Sequence, residues 1–200
     1  MKLIVWDIDD VLNELMRVWF EEHWQPCHSE CRISYREITA NPPHEVLGIP
    51  EAEYLASLDE FRASEAARAM VPNPKVLEWF RDHGKDCRHV ALTARPMQSA
   101  AGAAEWLFRH FGPYIRTFSV VPSRLDARFP AFDRTKGEFL NWLGKPGVLI
   151  DDSEANIEAA RALGLTGLLY PQPWNSSRLS VDETLALLGT LVSTNAGADR

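Results

Sequence analysis

The chain has 200 residues with 46% hydrophobic content, enough to bury a full core in one ordinary domain or one domain with a small insertion, which excludes a disordered or fibrous protein. A net charge of −7 gives a field that repels polyanions, so no nucleic-acid polymer is expected as partner, while a bound cation and local basic groups still admit a small anion. No apolar run approaches the roughly 20 residues of a membrane span, so no membrane partner is expected either. Cys27, Cys31 and Cys87 are too few and too odd in number for a disulfide scaffold, and the N-terminus lacks the long apolar region and cleavage site of a signal peptide. Both features predict a cytoplasmic protein.

In chain order, KLIVW at 2–6 reads as a buried strand that stops at Asp7. Asp7 and Asp9 follow, and alternation along an extended chain turns both toward one point beyond the strand end. Paired carboxylates repel unless a cation or proton is shared, which a hard, oxygen-seeking ion such as Mg2+ resolves; an acidic turn is the bland alternative. Residues 13–73 carry helical spacing in ELMRVWFEEHW and EAEYLASLDEFRASEAARAM, a proline-bearing turn NPPHEVLGIP between them, and no convincing strand. They are expected to form a helical insertion into a core made of 1–12 and 74–200. Trp19, Phe20 and Trp24 suit either a base-stacking surface or, more commonly, a core. His23, Cys27, His28 and Cys31 are close in sequence but match no familiar zinc spacing.

PKVLEWFRDHG predicts a helix closing on Gly84, and RHVALT at 88–93 a second strand. Thr93, Ala94 and Arg95 come next. A threonine hydroxyl and the following backbone N–H groups can hold phosphate oxygens, though threonine is also an ordinary helix cap. The helix MQSAAGAAEWLFRHFG and the weaker strand TFSVV at 117–121 follow. Lys136 opens the helical segment KGEFL, where the helix dipole disfavours a cation unless an anion lies nearby. PGVLI at 146–150 is a strand that ends in Asp151 and Asp152, and two adjacent acids there call for a cation more than for a helix cap. A Ser-capped helix, SEANIEAARALG, leads to the strand TGLLY at 166–170, the loop PQPWN, the helix SVDETLALLGTLV and the polar tail STNAGADR, which is expected to be mobile.

Strand and helix alternate, so the expected fold is α/β with a doubly wound parallel sheet and a small helical cap inserted after the first strand. Acid pair, hydroxyl, lysine and acid pair occur in that order, a set suited to in-line phosphoryl transfer. DIDDV at 7–11, LTA at 92–94, Lys136 and IDDS at 150–153 together resemble the motifs of the haloacid dehalogenase-like (HAD) superfamily, and the match runs through the whole core.

The resemblance implies a phosphatase in which Asp7 is the nucleophile that becomes phosphorylated and Asp9 the acid and base. Thr93, Ala94 and Lys136 would hold the phosphoryl group. Mg2+ would sit among Asp7, the Asp9 carbonyl and Asp152, with Asp151 beside it, and the substrate would be a small phosphorylated molecule. Tyr170 to Asn175 look like a loop of deoxyribonucleotidase-like members, which would make Trp174 and Asn175 substrate contacts and a nucleoside monophosphate the substrate; Arg95 suits a phosphate or ribose contact or, equally, a surface place at a helix start. The alternatives are another phosphometabolite, transfer to a second acceptor, or binding without turnover. A receiver domain of signalling proteins fails, because Asp59 lies in a helical pattern rather than at a strand end.

Overall fold

A computed structural model of the chain describes residues 2–123, 130, 132–144 and 147–193. In it, β1 (Leu3–Trp6) leads into a wide helical turn at Ile8–Leu12 and then a helical segment. That segment contains α1 (Leu15–Val18), a wider-wound stretch at Trp19–Trp24, α2 (Gln25–Cys27), α3 (His44–Leu47), α4 (Glu51–Ala63) and α5 (Glu65–Ala69). The chain continues as α6 (Pro74–His83), β2 (Arg88–Arg95), α7 (Ala100–Phe111), β3 (Phe118–Pro122) and α8 (Lys136–Leu143). It closes with β4 (Val148–Asp151), α9 (Glu154–Ala162), β5 (Thr166–Leu169) and α10 (Val181–Ser193). Residues 194–200 of the expected mobile tail lie outside the described residues.

The five strands form one parallel sheet in the order β3-β2-β1-β4-β5, with Val5 beside Val90 on one side and Leu149 on the other. Side-chain alternation explains why both faces are covered. Ile4, Trp6, Val148 and Ile150 pack with Trp79, Phe80, Trp106, Leu107 and Leu188 of α6, α7 and α10. Val5, Leu92 and Leu149 point the other way, against Phe139 and Leu140 of α8 and Ile157 of α9. The strands run out in both directions from β1, so the crevice where the winding reverses lies beyond the C-terminal ends of β1 and β4.

The helical segment between β1 and α6 has its own apolar cluster, in which Trp19, Phe20, Trp24, Tyr54, Leu58 and Phe61 are all buried. Trp19, Phe20 and Trp24 therefore fill a core and present no stacking face. β2 also runs two residues past the expected end at 93, and α7 starts only at Ala100 after a turn at Met97–Ser99. Thr93 and Ala94 thus belong to a strand rather than to a helix N-terminus.

Candidate active site

Asp7 is the first residue after β1, and its N–H extends the ladder by donating to the Ile150 carbonyl at 2.9 Å. The neighbouring strand β4 ends on Asp151, so strand pairing alone carries the two acid motifs to one place. Carboxylate oxygens of Asp7, Asp151 and Asp152 lie within 4.8 Å of one another, all buried. Lys136 enters from the first turn of α8, where Thr135 caps the helix, and its Nζ donates to Asp7 Oδ1 and Asp151 Oδ2, both at 2.7 Å. One ammonium thus faces three acids.

The electrostatics follow from that imbalance. Burial disfavours the charge on Lys136, but Asp151 and Asp7 outweigh burial and raise its pKa. Burial pushes Asp7 well above the usual carboxylate range; Lys136 opposes this, and Asp151 and Asp152 add to it. Asp152 is pushed up to about 7 by burial and by its neighbours Asp151 and Asp10. A buried cluster with this deficit of positive charge, and with hard oxygen donors alone, fits a divalent cation such as Mg2+.

The two adjacent acids differ in what they already hold. Asp151 Oδ1 accepts from the Ser153 N–H and from Asn156 Nδ2, both at 2.9 Å, while its Oδ2 takes Lys136. Asp152 Oδ2 accepts only the Trp174 indole N–H, at 2.7 Å, among the described residues. Asp7 Oδ1 takes Lys136 and, at 2.7 Å, the Ile8 N–H, and its Oδ2 has no hydrogen bond among the described residues.

Asp9 sits in different company. Arg95 at the end of β2 hydrogen-bonds its Oδ1 through Nη2, Arg62 of α4 reaches Oδ2 at 3.2 Å, and Asn13 Nδ2 stands 3.4 Å from Oδ1. Burial alone would raise Asp9, but Arg95 and Arg62 outweigh it and hold the group below its ordinary value. Asp10 takes the left-handed conformation, φ 63°, that lets the chain turn here. Its Oδ1 accepts the Met16 N–H at 2.8 Å, and its N–H donates to Asn13 Oδ1 at 3.1 Å. A cavity of about 180 Å3 opens over these groups, lined by Asp7, Asp9, Thr93, Ala94, Lys136 and Asp152 from the core and by Tyr54 and Arg62 from the helical segment.

The loop after β5 ties that segment down. Gln172 Nε2 donates to the Asp10 carbonyl at 2.6 Å, and the Tyr35 hydroxyl donates to Gln172 Oε1 at 3.0 Å. Trp174 packs against the apolar cluster of the helical segment and meets Tyr35 edge-on. Asn175 Nδ2 donates to the Asp152 and Tyr170 carbonyls at 2.8 Å, and its Oδ1 accepts from the Gln172 and Ser177 N–H groups. Its hydrogen bonds close the loop and tie it to the Asp152 backbone. Of the residues expected as substrate contacts, Arg95 hydrogen-bonds Asp9, Trp174 hydrogen-bonds Asp152, and Asn175 bonds the Asp152 and Tyr170 carbonyls.

The geometry brings Asp7, Asp9, Thr93, Ala94, Lys136, Asp151 and Asp152 to one crevice, and adds Arg62, Asn156, Gln172 and Tyr35. Asn156 had a readable signal, an Asn in the first turn of the helix that follows the acid pair. Arg62 had none, since an arginine near the end of a helical pattern reads as solvated.

No family model and no curated protein matches the sequence. Solved structures do match. The chain is similar to a haloacid dehalogenase-like hydrolase from Streptococcus pneumoniae, with 10% identity, TM-score 0.61, and 95% of this chain and 98% of that one covered. It is also similar to a HAD-superfamily hydrolase of subfamily IA from Geobacter sulfurreducens, at 15% identity and TM-score 0.56 over 96% of each chain. A haloacid dehalogenase-like hydrolase from Xanthomonas campestris aligns at 14% identity and TM-score 0.57 over 97% of each chain. The parallel sheet, its strand order and these likenesses over nearly the full length agree: the chain has the fold of the haloacid dehalogenase-like superfamily.

Proposed function

We propose that the protein is a Mg2+-dependent phosphomonoester hydrolase that forms an aspartyl-phosphate on Asp7, with residues 13–73 acting as a cap over the site. One observation carries the reading: Asp7 stands with one oxygen held by Lys136 and the Ile8 N–H and the other unbonded among the described residues, in a buried acid cluster short of positive charge. Those hydrogen bonds fix the carboxylate and leave Oδ2 to attack phosphorus. Asp7, Asp152 and the Asp9 carbonyl are the groups that would hold Mg2+, with Asp152 favoured over Asp151 because both Asp151 oxygens are engaged and Asp152 holds one indole N–H. The ion, when bound, neutralises the acids and the phosphoryl oxygens.

In the first step Asp7 Oδ2 bonds to phosphorus, the ester bond breaks, and the departing oxygen takes a proton from Asp9. In the second, the Asp9 carboxylate takes a proton from water, the water oxygen bonds to phosphorus, and the Asp7 carboxylate leaves. Lys136 and Thr93 supply donors to the phosphoryl oxygens. Arg95 and Arg62 favour the ionised Asp9 that the second step needs.

A small phosphometabolite suits the cavity better than a nucleotide. About 180 Å3 lies below the roughly 300–1,000 Å3 of pockets for larger ligands, and the Trp174 ring is engaged by Asp152 and the cap cluster. The test is a panel of phosphomonoesters, nucleoside monophosphates among them, assayed with Mg2+ and with EDTA. Release of phosphate from small esters, abolished by EDTA and by Asp7→Asn, is the expected result. Turnover unaffected by Asp7→Asn would refute the assignment.

A further inference from the structure

Arg62 stands outside the acid motifs, and its contact with Asp9 uses only part of its donor set. Its side chain is 11% exposed, lines the cavity, and comes from α4 rather than from the sheet. A guanidinium offers five N–H donors in a planar fork. Among the described residues Arg62 makes one hydrogen bond, to Asp9 Oδ2 at 3.2 Å, and one longer ion contact, Nη1 to Asp59 Oδ1 at 3.7 Å, while its Nε is buried without a partner. Arg95, from the end of β2, makes two hydrogen bonds, to Asp9 and Thr93, and holds Asp9 from the core side. Leaving buried donors unpaired is costly, and among the described residues Arg62 is a cationic group of the helical segment that lines this cavity with donors to spare.

We propose that Arg62 is a specificity residue that binds a second anionic group, carried by the leaving group of the substrate. The inference rests on the phosphatase reading for its orientation. Asp9 faces the leaving oxygen in that reading, and Arg62 is one hydrogen bond from Asp9, so the second anion lies only a few bonds from the ester oxygen. The substrate class is a short phosphorylated acid, with a carboxylate or a second phosphate. A fork-shaped donor meeting such a group forms paired, charge-assisted hydrogen bonds that a neutral alcohol cannot reproduce.

Equilibrium binding separates this claim from turnover. Calorimetry with Mg2+ present would compare methylphosphonate, phosphonoacetate and methylenebisphosphonate on the wild type, Arg62→Gln and Arg62→Lys. The wild type is expected to bind at least one of the two probes that carry a second anionic group about tenfold or more tighter than methylphosphonate, with the carboxylate and phosphonate arms showing which group is read. Arg62→Gln should erase that preference while leaving methylphosphonate within about threefold, and Arg62→Lys should restore part of it. Equal affinity for all three probes in the wild type, or equal losses for all three in Arg62→Gln, would overturn the proposal. Neither result depends on catalysis, so hydrolysis of p-nitrophenyl phosphate, run in parallel, tests the phosphatase reading by itself.

Discussion

At the scale of single residues, two neighbours of the same type have opposite environments. Asp151 spends its oxygens on Lys136, Ser153 and Asn156, whereas Asp152 holds one indole N–H. Asp152→Ala is therefore expected to shift the Mg2+ midpoint of activity further than Asp151→Ala, while Asp151→Ala costs more stability because it removes one of the two carboxylates on Lys136 and the acceptor of Ser153 and Asn156. Mg2+ titrations and thermal melts of both variants decide this, and the reverse order would exchange the two roles. Lys136→Met leaves the acids without their buried cation, a loss of the kind that costs about 3–5 kcal/mol. Its melting temperature should fall, and should respond to Mg2+ more than that of the wild type does; an unchanged response would contradict the charge-deficit account.

His89 gives a pH prediction away from the site. The Trp6 indole N–H can only donate, so His89 Nδ1 accepts it at 3.0 Å and the ring proton sits on Nε2, facing the Gly84 carbonyl at 2.9 Å. Burial lowers the His89 pKa, and the Gly84 carbonyl offsets this only in part. The unfolded chain then binds more protons than the folded one just below the ordinary histidine value of about 6.5, so this contribution to stability is full above that value and is lost as the pH falls. Urea unfolding of the wild type and His89→Gln at about pH 7.5 and about pH 5.5 should show a gap that narrows at the lower pH. A gap that widens would contradict the neutral tautomer.

At the scale of elements, the loop after β5 is a clasp between the sheet core and the helical segment that follows β1. Trp174 joins the Asp152 carboxylate to the apolar cluster of the helical segment, and Gln172 joins the Asp10 carbonyl to Tyr35. Trp174→Phe keeps a ring against the cap but deletes the donor that orients Asp152. Partners of metal ligands commonly contribute about 10–100-fold in affinity, so the Mg2+ midpoint should weaken by about tenfold with little change in melting temperature. An unchanged midpoint would make the Trp174 ring a packing element only. On β5, a Cβ at Gly167 would lie 2.9 Å from Ile157 Cγ2 and 3.1 Å from the Ile157 carbonyl, so α9 packs there only against a glycine. Gly167→Ala should destabilise the fold by about 1–3 kcal/mol, as overpacking does, measurable by urea unfolding.

At the scale of the whole molecule, what could be read from sequence was what strand order enforces. Asp7, Thr93 and Asp151 were legible because each follows or ends an apolar run, and parallel pairing of β1 with β2 and β4 then brings them together. Lys136 was legible as a cation at a helix start. Arg62, Tyr35 and Gln172 were not, because their roles arise from how the helical segment folds back over the crevice, and local periodicity carries no information on such long-range contacts. The base-stacking option for Trp19, Phe20 and Trp24 fell to the same cause, since the segment needs a core of its own.

The central claim is that phosphate passes through Asp7. Borohydride reduction during turnover with Mg2+ converts an acyl phosphate to an alcohol, and peptide mass mapping locates it. The account predicts homoserine at position 7 only when substrate is present, and contradiction would come from steady turnover with position 7 unmodified or with the modification at another acid.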